Sequence, residues 1–226
     1  MTLTYYGHSC FILDYKGTKI LFDPFISPNE KAKNVDVKSI NPDYIFISHG
    51  HFDHIADLVK IGQQSGAKVV CNYEIYVWLG KQGIDNAHPV NHGGAVQLPF
   101  GKVKFVNAVH SSGLDDGTYL GNPGGFVLDF GDSCIYYAGD TALTMDMQLI
   151  ARQFNVDWAL LPIGDNFTMG VDDAIIASEF VGTQNVIGMH FDTFPPIAID
   201  KEEAKRKFTE AGLNLVLMEI EESIEL

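Results

Sequence analysis

The sequence predicts a mixed α/β chain with two β-sheets inside and helices outside. Three observations carry this expectation. Apolar strand runs alternate with helical periodicity along the chain, as strand-rich hairpins, then β-α-β, then the same theme again. DYIFIS (43–48) is a short, almost fully apolar run of the kind buried on both faces of a sheet. GGFVLDF-GD-SCIYYAGD (124–140) reads as two strands joined by a Gly-Asp turn.

In chain order, residues 2–15 (TLTYYGHSCFILDY) read as one strand, KGT as a turn, and 19–25 (KILFDPF) as its hairpin partner. Pro24, Pro28 and Asn29 then open a loop. Beyond DYIFIS, residues 54–64 (HIADLVKIGQQ) read as a helix, with Ile55, Leu58 and Val59 on one side and Gly66 just past its end. KVVCN is the next strand and YEIYVWLGKQG the next helix. Residues 102–109 form a strand that ends at His110, and the 124–140 hairpin ends at Asp140. A helix over 144–153 leads to strand 158–163, and a helix over 171–181 leads to strand 185–189 and His190. A helix over 201–211 and a strand over 213–220 complete the pattern. No linker or low-complexity segment divides the chain, so residues 1–226 are expected to form a single domain with a weak two-fold duplication inside it.

Composition narrows the function classes. Hydrophobic residues make up 46% of 226, which supports a sizeable core and excludes wholesale disorder. No apolar run approaches the roughly eighteen residues of a membrane helix, so no membrane association is expected. The first residues, MTLTYY, lack the basic and apolar regions of a signal peptide. The three cysteines, Cys10, Cys71 and Cys134, form no C-x-x-C pair, which argues against a disulfide framework or a thiolate zinc site. A reduced, cytoplasmic location is the expectation.

The chemistry concentrates in ISHGHFDHIAD (47–57), a loop between a buried strand and a helix. His49 and His51, at i and i+2, point the same way and can grip one ion; Asp53 and His54 face a second point. Imidazole nitrogens with a carboxylate suit Zn, Fe, Mn or Ni. His110, Asp140 and His190 each follow directly on a predicted strand, where sites in α/β folds are usually built. Seven donors exceed the needs of one ion and match two ions that share a bridging carboxylate.

An H-x-H-x-D-H motif followed by a lone His, a Gly-Asp pair and a final His resembles the metallo-β-lactamase superfamily, over a span from ILFDPF to GMH. The strings YYGHSCF, ILFDPF, PIGDNFTMG and MHFDTFPPI are similar to those of a narrower group of small metal-dependent hydrolases related to the ascorbate-6-phosphate lactonases. The resemblance implies a four-layer αββα sandwich. It implies a first metal on His49, His51 and His110, a second on Asp53, His54 and His190, and Asp140 as the bridge. Two divalent cations, zinc foremost with Mn, Fe or Ni as alternatives, would activate a bridging water to hydroxide. The expected substrate is a small ester, lactone or phosphodiester. A nuclease of the same fold and a non-catalytic metal-binding protein are the alternatives; the chain has no room for the large insertions of the nucleases.

Further residues complete the expectation. Asp23, in LFDP at a neighbouring strand end, is the candidate carboxylate that fixes a ligand histidine's tautomer. Asp165, Asn166 and Thr168 in GDNFTMG either line the pocket or cap the helix near 171. Asp192 either orients His190 or solvates its loop. His88 and His92 read as solvated loop residues, because Pro89 between them argues against a helix. His8 in YYGHSCF, placed on the first strand beside Gly7, is expected to face the metals as a substrate-binding group or general acid, joining Asp53 and Asp140 as the catalytic set. GHSCF lacks the final glycine of G-x-S-x-G, which excludes a nucleophile elbow. A homo-oligomer is compatible with the sequence.

Acidic residues outnumber basic ones, 29 against 15, for a formal charge of −14. A small-molecule substrate fits this surface and a polyphosphate does not. In an anisotropy titration at physiological salt, tRNA and duplex DNA should show no tight, salt-sensitive binding; submicromolar affinity with a steep salt slope would revive the nuclease alternative.

Overall fold

The computed structural model describes residues 1–226. They form two compact units, Met1–Asn91 with Ser111–Pro123 and Glu219–Leu226, and His92–His110 with Gly124–Met218. The first unit contains β1 (Thr2–Gly7), β2 (Cys10–Tyr15), β3 (Thr18–Phe22), β4 (Tyr44–Phe46), α1 (Phe52–Ile55), α2 (Leu58–Ser65), β5 (Lys68–Asn72), α3 (Tyr73–Lys81) and β6 (Ala87–Val90). The second contains β7 (Ala95–Leu98), β8 (Gly101–Asn107), β9 (Gly124–Asp129), β10 (Cys134–Tyr137), α4 (Gln148–Ala151), β11 (Trp158–Pro162), α5 (Val171–Val181), β12 (Asn185–Met189), α6 (Lys201–Glu210) and β13 (Asn214–Val216). The chain ends in β14 (Ser223–Glu225), back in the first unit.

Each unit is built on one seven-stranded mixed sheet, ordered β14-β1-β2-β3-β4-β5-β6 in the first and β7-β8-β9-β10-β11-β12-β13 in the second. In both, three antiparallel pairings are followed by three parallel ones. This shared plan is the duplicated theme of the sequence. The parallel strands need crossovers, which is where the helices enter. α2 and α3 bury Leu58, Ile61, Ile75 and Leu79 against Ile45, Ile47, Val69 and Cys71. Each of these side chains contributes about 1.5–3 kcal/mol on burial, so Leu58→Ala would cost about 2–5 kcal/mol. In the second unit, Ala174, Ala177 and Val181 form the buried stripe of α5, and Ala204 and Phe208 that of α6.

Several predicted elements are corrected. The strand over 2–15 is a hairpin: Gly7 pairs with Cys10, and His8 and Ser9 make the turn. His8 takes φ 58°, so it sits on a left-handed turn and not on a strand. The helix over 54–64 breaks at Ala56 and Asp57, because the buried Asp57 carboxylate accepts bonds from the Ile26 and Ser27 amides at 2.8 and 2.7 Å. The helix over 144–153 is a 3₁₀ turn, Met145–Met147, running into the four-residue α4. The strand over 213–220 stops at Val216, and β14 pairs instead with β1. His88 lies on β6, not in a loop; the strand is at a sheet edge, where Pro89 is tolerated. His92 stacks on Phe105, with ring centroids 5.0 Å apart. No helix is long and apolar enough to cross a membrane.

Cys10, Cys71 and Cys134 are free and buried. Burial pushes the Cys10 and Cys71 thiols far above their ordinary value of 9.0. Cys134 is pushed up to about 12, by burial first and then by the Asp129 and Asp157 carboxylates. At pH 8 the native protein should resist alkylation at all three, and all three should label in urea. The folded-state values are raised, so the stabilisation is complete below pH 9 and falls as pH rises from there, because unfolded thiols ionise first. Melting temperatures that rise across pH 9 to 11 would contradict this.

Candidate functional site

The first unit gathers its donors where β3 and β4 end. Asp23, immediately after β3, is fully buried and turns at φ 38°. Its amide bonds to Phe46 O at 3.1 Å, which locks the two strand ends together. Its carboxylate accepts the Ser48 amide (2.8 Å), the Ser48 hydroxyl (2.5 Å) and His54 Nδ1 (2.8 Å). Ser48 Oγ in turn lies 2.9 Å from His49 Nδ1.

These contacts fix two tautomers. A carboxylate only accepts, so His54 Nδ1 carries the proton. Ser48 gives its one proton to Asp23, so it must receive one from His49 Nδ1. Both histidines then present unprotonated Nε2 atoms. Asp23, His49 and His54 each place a ligand atom within 4.8 Å of the others. Asp23 thus contacts His54 directly and His49 through Ser48.

His49 Nε2 faces His51 Nδ1 at 3.0 Å, and His51 Nε2 lies 3.3 Å from Ser111 Oγ. With the His51 proton directed to Ser111, two nitrogen lone pairs converge on a point that a cation satisfies. Gly50 is required between them: a Cβ there would lie 2.4 Å from Leu120, a buried side chain of the 111–123 loop. Ser112 Oγ accepts the Gly50 amide at 3.0 Å and completes the support. Asp53 Oδ2 lies 3.0 Å from His8 Nε2 and 4.0 Å from His54 Nε2. The donor set fits divalent metal by chemistry as well as by geometry.

His8 sits on a turn beside Asp53 and His54. It is 1% exposed, and its ring packs on Phe25 and His54. Its Nε2 lies 3.0 Å from Asp53 Oδ2.

In the second unit, Asp140 follows β10 and Gly139, which has φ 62°. Its Oδ2 lies 2.9 Å from His190 Nε2 and 3.6 Å from His110 Nε2. One carboxylate oxygen thus lies near two imidazole nitrogens. His190 is buried and left-handed (φ 55°), and its carbonyl runs so close to Gly164 that a Cβ there would meet it at 2.1 Å.

Asp192 does not orient His190. Its carboxylate accepts the Ile199 amide at 3.0 Å and faces Lys201 at 3.7 Å, so it holds its own loop. Asp165, Asn166 and Thr168 do not cap α5, whose N-cap is Gly170 with no side-chain bond. Asp165 and Asn166 line a polar cavity of about 760 Å³ beside α5 and α6. Asp57 was not anticipated; an acid on a helical pattern looks like a solvated face, and only its contacts show that it staples the 24–27 loop.

Imidazole and carboxylate donors at the strand ends of two such sheets define a metal-dependent hydrolase of the metallo-β-lactamase fold, the fold the sequence predicts. The chain belongs to the β-lactamase superfamily: the family model described as the beta-lactamase superfamily domain matches residues 2–190. It is 49% identical over 226 residues to a UPF0173 metal-dependent hydrolase of Flavobacterium johnsoniae, covering 100% of both chains. It is 50% identical over 227 residues to one of Christiangramia forsetii, again with 100% of each covered. Among solved structures, the metallo hydrolase Igni18 of Ignicoccus hospitalis superposes with a TM-score of 0.90 at 35% identity, over 100% of this chain and 98% of that one. An isothiocyanate hydrolase from Delia radicum gut bacteria shares the fold, with a TM-score of 0.81 at 21% identity and coverage of 100% and 99%.

Asp23→Asn should loosen the tautomer lock while keeping the side-chain shape. Metal affinity, measured by chelator competition, should fall about 10–100-fold, the usual effect of losing such a partner. Wild-type affinity in that variant would mean that the Asp23 network does not set the ligand tautomers.

Proposed function

We propose that the chain is a di-metal hydrolase of a small ester, lactone or phosphodiester, with the ligands that the family resemblance assigns: His49, His51 and His110 for one ion, Asp53, His54 and His190 for the other, and Asp140 between them. The observation that carries this reading is the Asp23–Ser48 network, which leaves Nε2 of both His49 and His54 unprotonated and directed away from their supports. Zinc is the ion proposed, since imidazole with carboxylate suits it well.

A metal held by these donors supplies an activated water and polarises the substrate's oxygen. The chain's own residues supply the rest. Ser111 Oγ holds His51 Nε2, and Ser112 holds the Gly50 amide, so the loop keeps its shape during turnover. The Asp53 side chain is 25% exposed, while the His8 ring beneath it is fully buried. Asp53 is therefore the group placed to take the attacking water's proton at Oδ2 and return it to the leaving oxygen, with His8 Nε2 fixing the carboxylate's orientation. In the balanced reaction, water's oxygen bonds the carbonyl carbon or phosphorus, the bond to the leaving oxygen breaks, and that oxygen departs protonated.

Elemental analysis of protein purified without chelator should approach two ions per chain. Asp140→Ala should lose at least one ion and most of the activity. Full metal content and full rate in that variant would contradict the bridging role.

A further inference from the structure

Resting on the hydrolase reading above, we propose that the substrate is a neutral carbonyl compound, an ester or lactone with an apolar acyl or aryl arm, and that Phe52 sets this preference. Two independent observations meet here, one of charge and one of exposed surface.

The first is the absence of cations. Residues 39–59, 105–151 and 153–200 contain neither Lys nor Arg, and these segments carry all seven candidate ligands. Just past the last of them, Lys201 faces Asp192 at 3.7 Å and Lys207 holds Asp172 at 2.8 Å. Arg206 is tied to Glu203 and Glu210. The same segments carry Asp115, Asp116, Asp165, Asp172 and Asp173. Phosphate recognition ordinarily uses Arg forks or Lys charges. A phosphoester would find no Lys or Arg in these segments, and its charge would rest on the proposed metal ions alone. An uncharged carbonyl group needs no such partner.

The second is where apolar surface is left open. In the first unit the exposed large apolar side chains are Phe52, Tyr73, Tyr76, Val77 and Tyr119. All five lie on α1, α3 or the 111–123 loop, the elements around the His51 loop. They are connected: Leu120 packs on Gly50, and Asn72, the N-cap of α3, donates to Leu120 O at 2.8 Å and Asn122 O at 3.2 Å. In the second unit, Val109 precedes His110, Met145 follows the Asp140 loop, Phe167 sits in the loop after β11, and Phe194 in the loop after His190. Only Leu149 and Ile176 lie elsewhere, on α4 and α5. Phe52 in the first unit, and Val109, Met145 and Phe194 in the second, thus leave apolar surface open within five residues of a candidate ligand. Exposed apolar surface concentrated at a site is the mark of a binding surface.

Phe52 is the residue best placed to read an apolar arm. It stands between two candidate ligands, His51 and Asp53, and is 51% exposed. Its ring is held edge-on by Phe25, with centroids 5.9 Å apart at 73°. Phe25 is itself buried and packs edge-on against His8, at 5.5 Å. A solvent-facing ring fixed by a buried one is pre-organised and loses little freedom on binding. The reaction is an acyl transfer to water: its oxygen bonds the carbonyl carbon, the C–O bond to the leaving group breaks, and the leaving oxygen takes up one of the water's protons, with no change of oxidation state.

The test uses esters of matched intrinsic reactivity with the metal-replete, full-length protein. The p-nitrophenyl esters of acetic acid and hexanoic acid, and the mono-p-nitrophenyl ester of adipic acid, differ in arm length and terminal charge. We expect kcat/KM for the hexanoate to exceed that for the acetate at least tenfold, in line with the worth of added methylenes in an apolar pocket. The carboxylate-ended adipate should fall at least tenfold below the hexanoate. In Phe52→Ala the hexanoate-to-acetate ratio should fall toward one, with metal content and melting temperature held, and Phe52→Leu should restore most of it. Calorimetric binding of the non-hydrolysable ketone 1-phenylheptan-2-one should weaken at least fivefold in Phe52→Ala. An adipate hydrolysed as well as the hexanoate, or a length effect that survives Phe52→Ala, overturns the proposal. So does a concentration-dependent dimer that buries Phe52, since the apolar surface would then belong to a second copy. Turnover of bis(p-nitrophenyl) phosphate without any ester turnover overturns the substrate class and leaves the hydrolase reading standing. No turnover of ester or diester by metal-replete protein overturns both.

Discussion

A carboxylate with no exposure to water is the constraint on which the first unit depends. Asp23 sits at the end of β3, in a place where an isolated charge would cost several kcal/mol to bury. It is held there by an amide, a hydroxyl and an imidazole N–H, so its lone pairs are met by three donors. Removing one partner of such a buried charge costs about 3–5 kcal/mol, because the remainder is left unmet. Ser48 and His54 are therefore held by the fold's own stability, and through Ser48 so is His49. The same interaction that keeps the β3 and β4 ends together sets which nitrogen of each histidine is free to bind. Structure and chemistry share one residue, so a change at position 23 cannot affect one without the other.

The two sheets repeat one plan, and the plan explains where donors fall. Three antiparallel pairings occupy one side of each sheet, and three parallel pairings occupy the other. Parallel strands end in loops that must lead into crossovers, so their ends collect irregular backbone. Asp23 follows β3, and His49 follows β4 by three residues; Asp140 follows β10 by three, and His190 follows β12 directly. Equivalent positions in the two plans thus carry donors: the fourth strand of each sheet, where the parallel half begins, ends near an aspartate in each unit.

Much of this was legible in the sequence, for a physical reason. Strand ends are marked by apolar runs that stop at a polar residue, and His49, His110, Asp140 and His190 each lie within three residues of such a strand end. α5 and β12 have the predicted limits because Gly182 and the apolar run NVIGM mark them sharply. What stayed hidden depends on contacts between distant segments. Tyr5 to Phe11 reads as continuous alternation, yet the pairing of Gly7 with Cys10 folds it into a hairpin, and that alone moves His8 from a strand to a turn. Asp57 looks like a solvated helical residue until its bonds to Ile26 and Ser27 are seen. β14 is three residues long and pairs with β1 across more than two hundred residues, beyond the reach of any local pattern.

Backbone strain shows which of these residues the fold holds against local preference. His8, Asp23, Asp165, Asn166, His190 and Asp192 all have φ between 38° and 60°, the left-handed region that L-residues avoid. Asp, Asn and His are the non-glycine residues that enter it most readily, because their short polar groups bond nearby backbone. Glycine would relieve each position but would remove a side chain, and three of these side chains belong to the donor network. His8 reaches Asp53, Asp23 reaches His54 and Ser48, and His190 reaches Asp140. Strain of this kind costs about 1–3 kcal/mol per residue and persists only where surrounding contacts over-determine it. At Asp23 those contacts are the three donors and the strand pairing; at His190 they are burial and the close approach of Gly164. The left-handed turn is thus the means by which the chain reverses direction at a strand end and still presents a donor there.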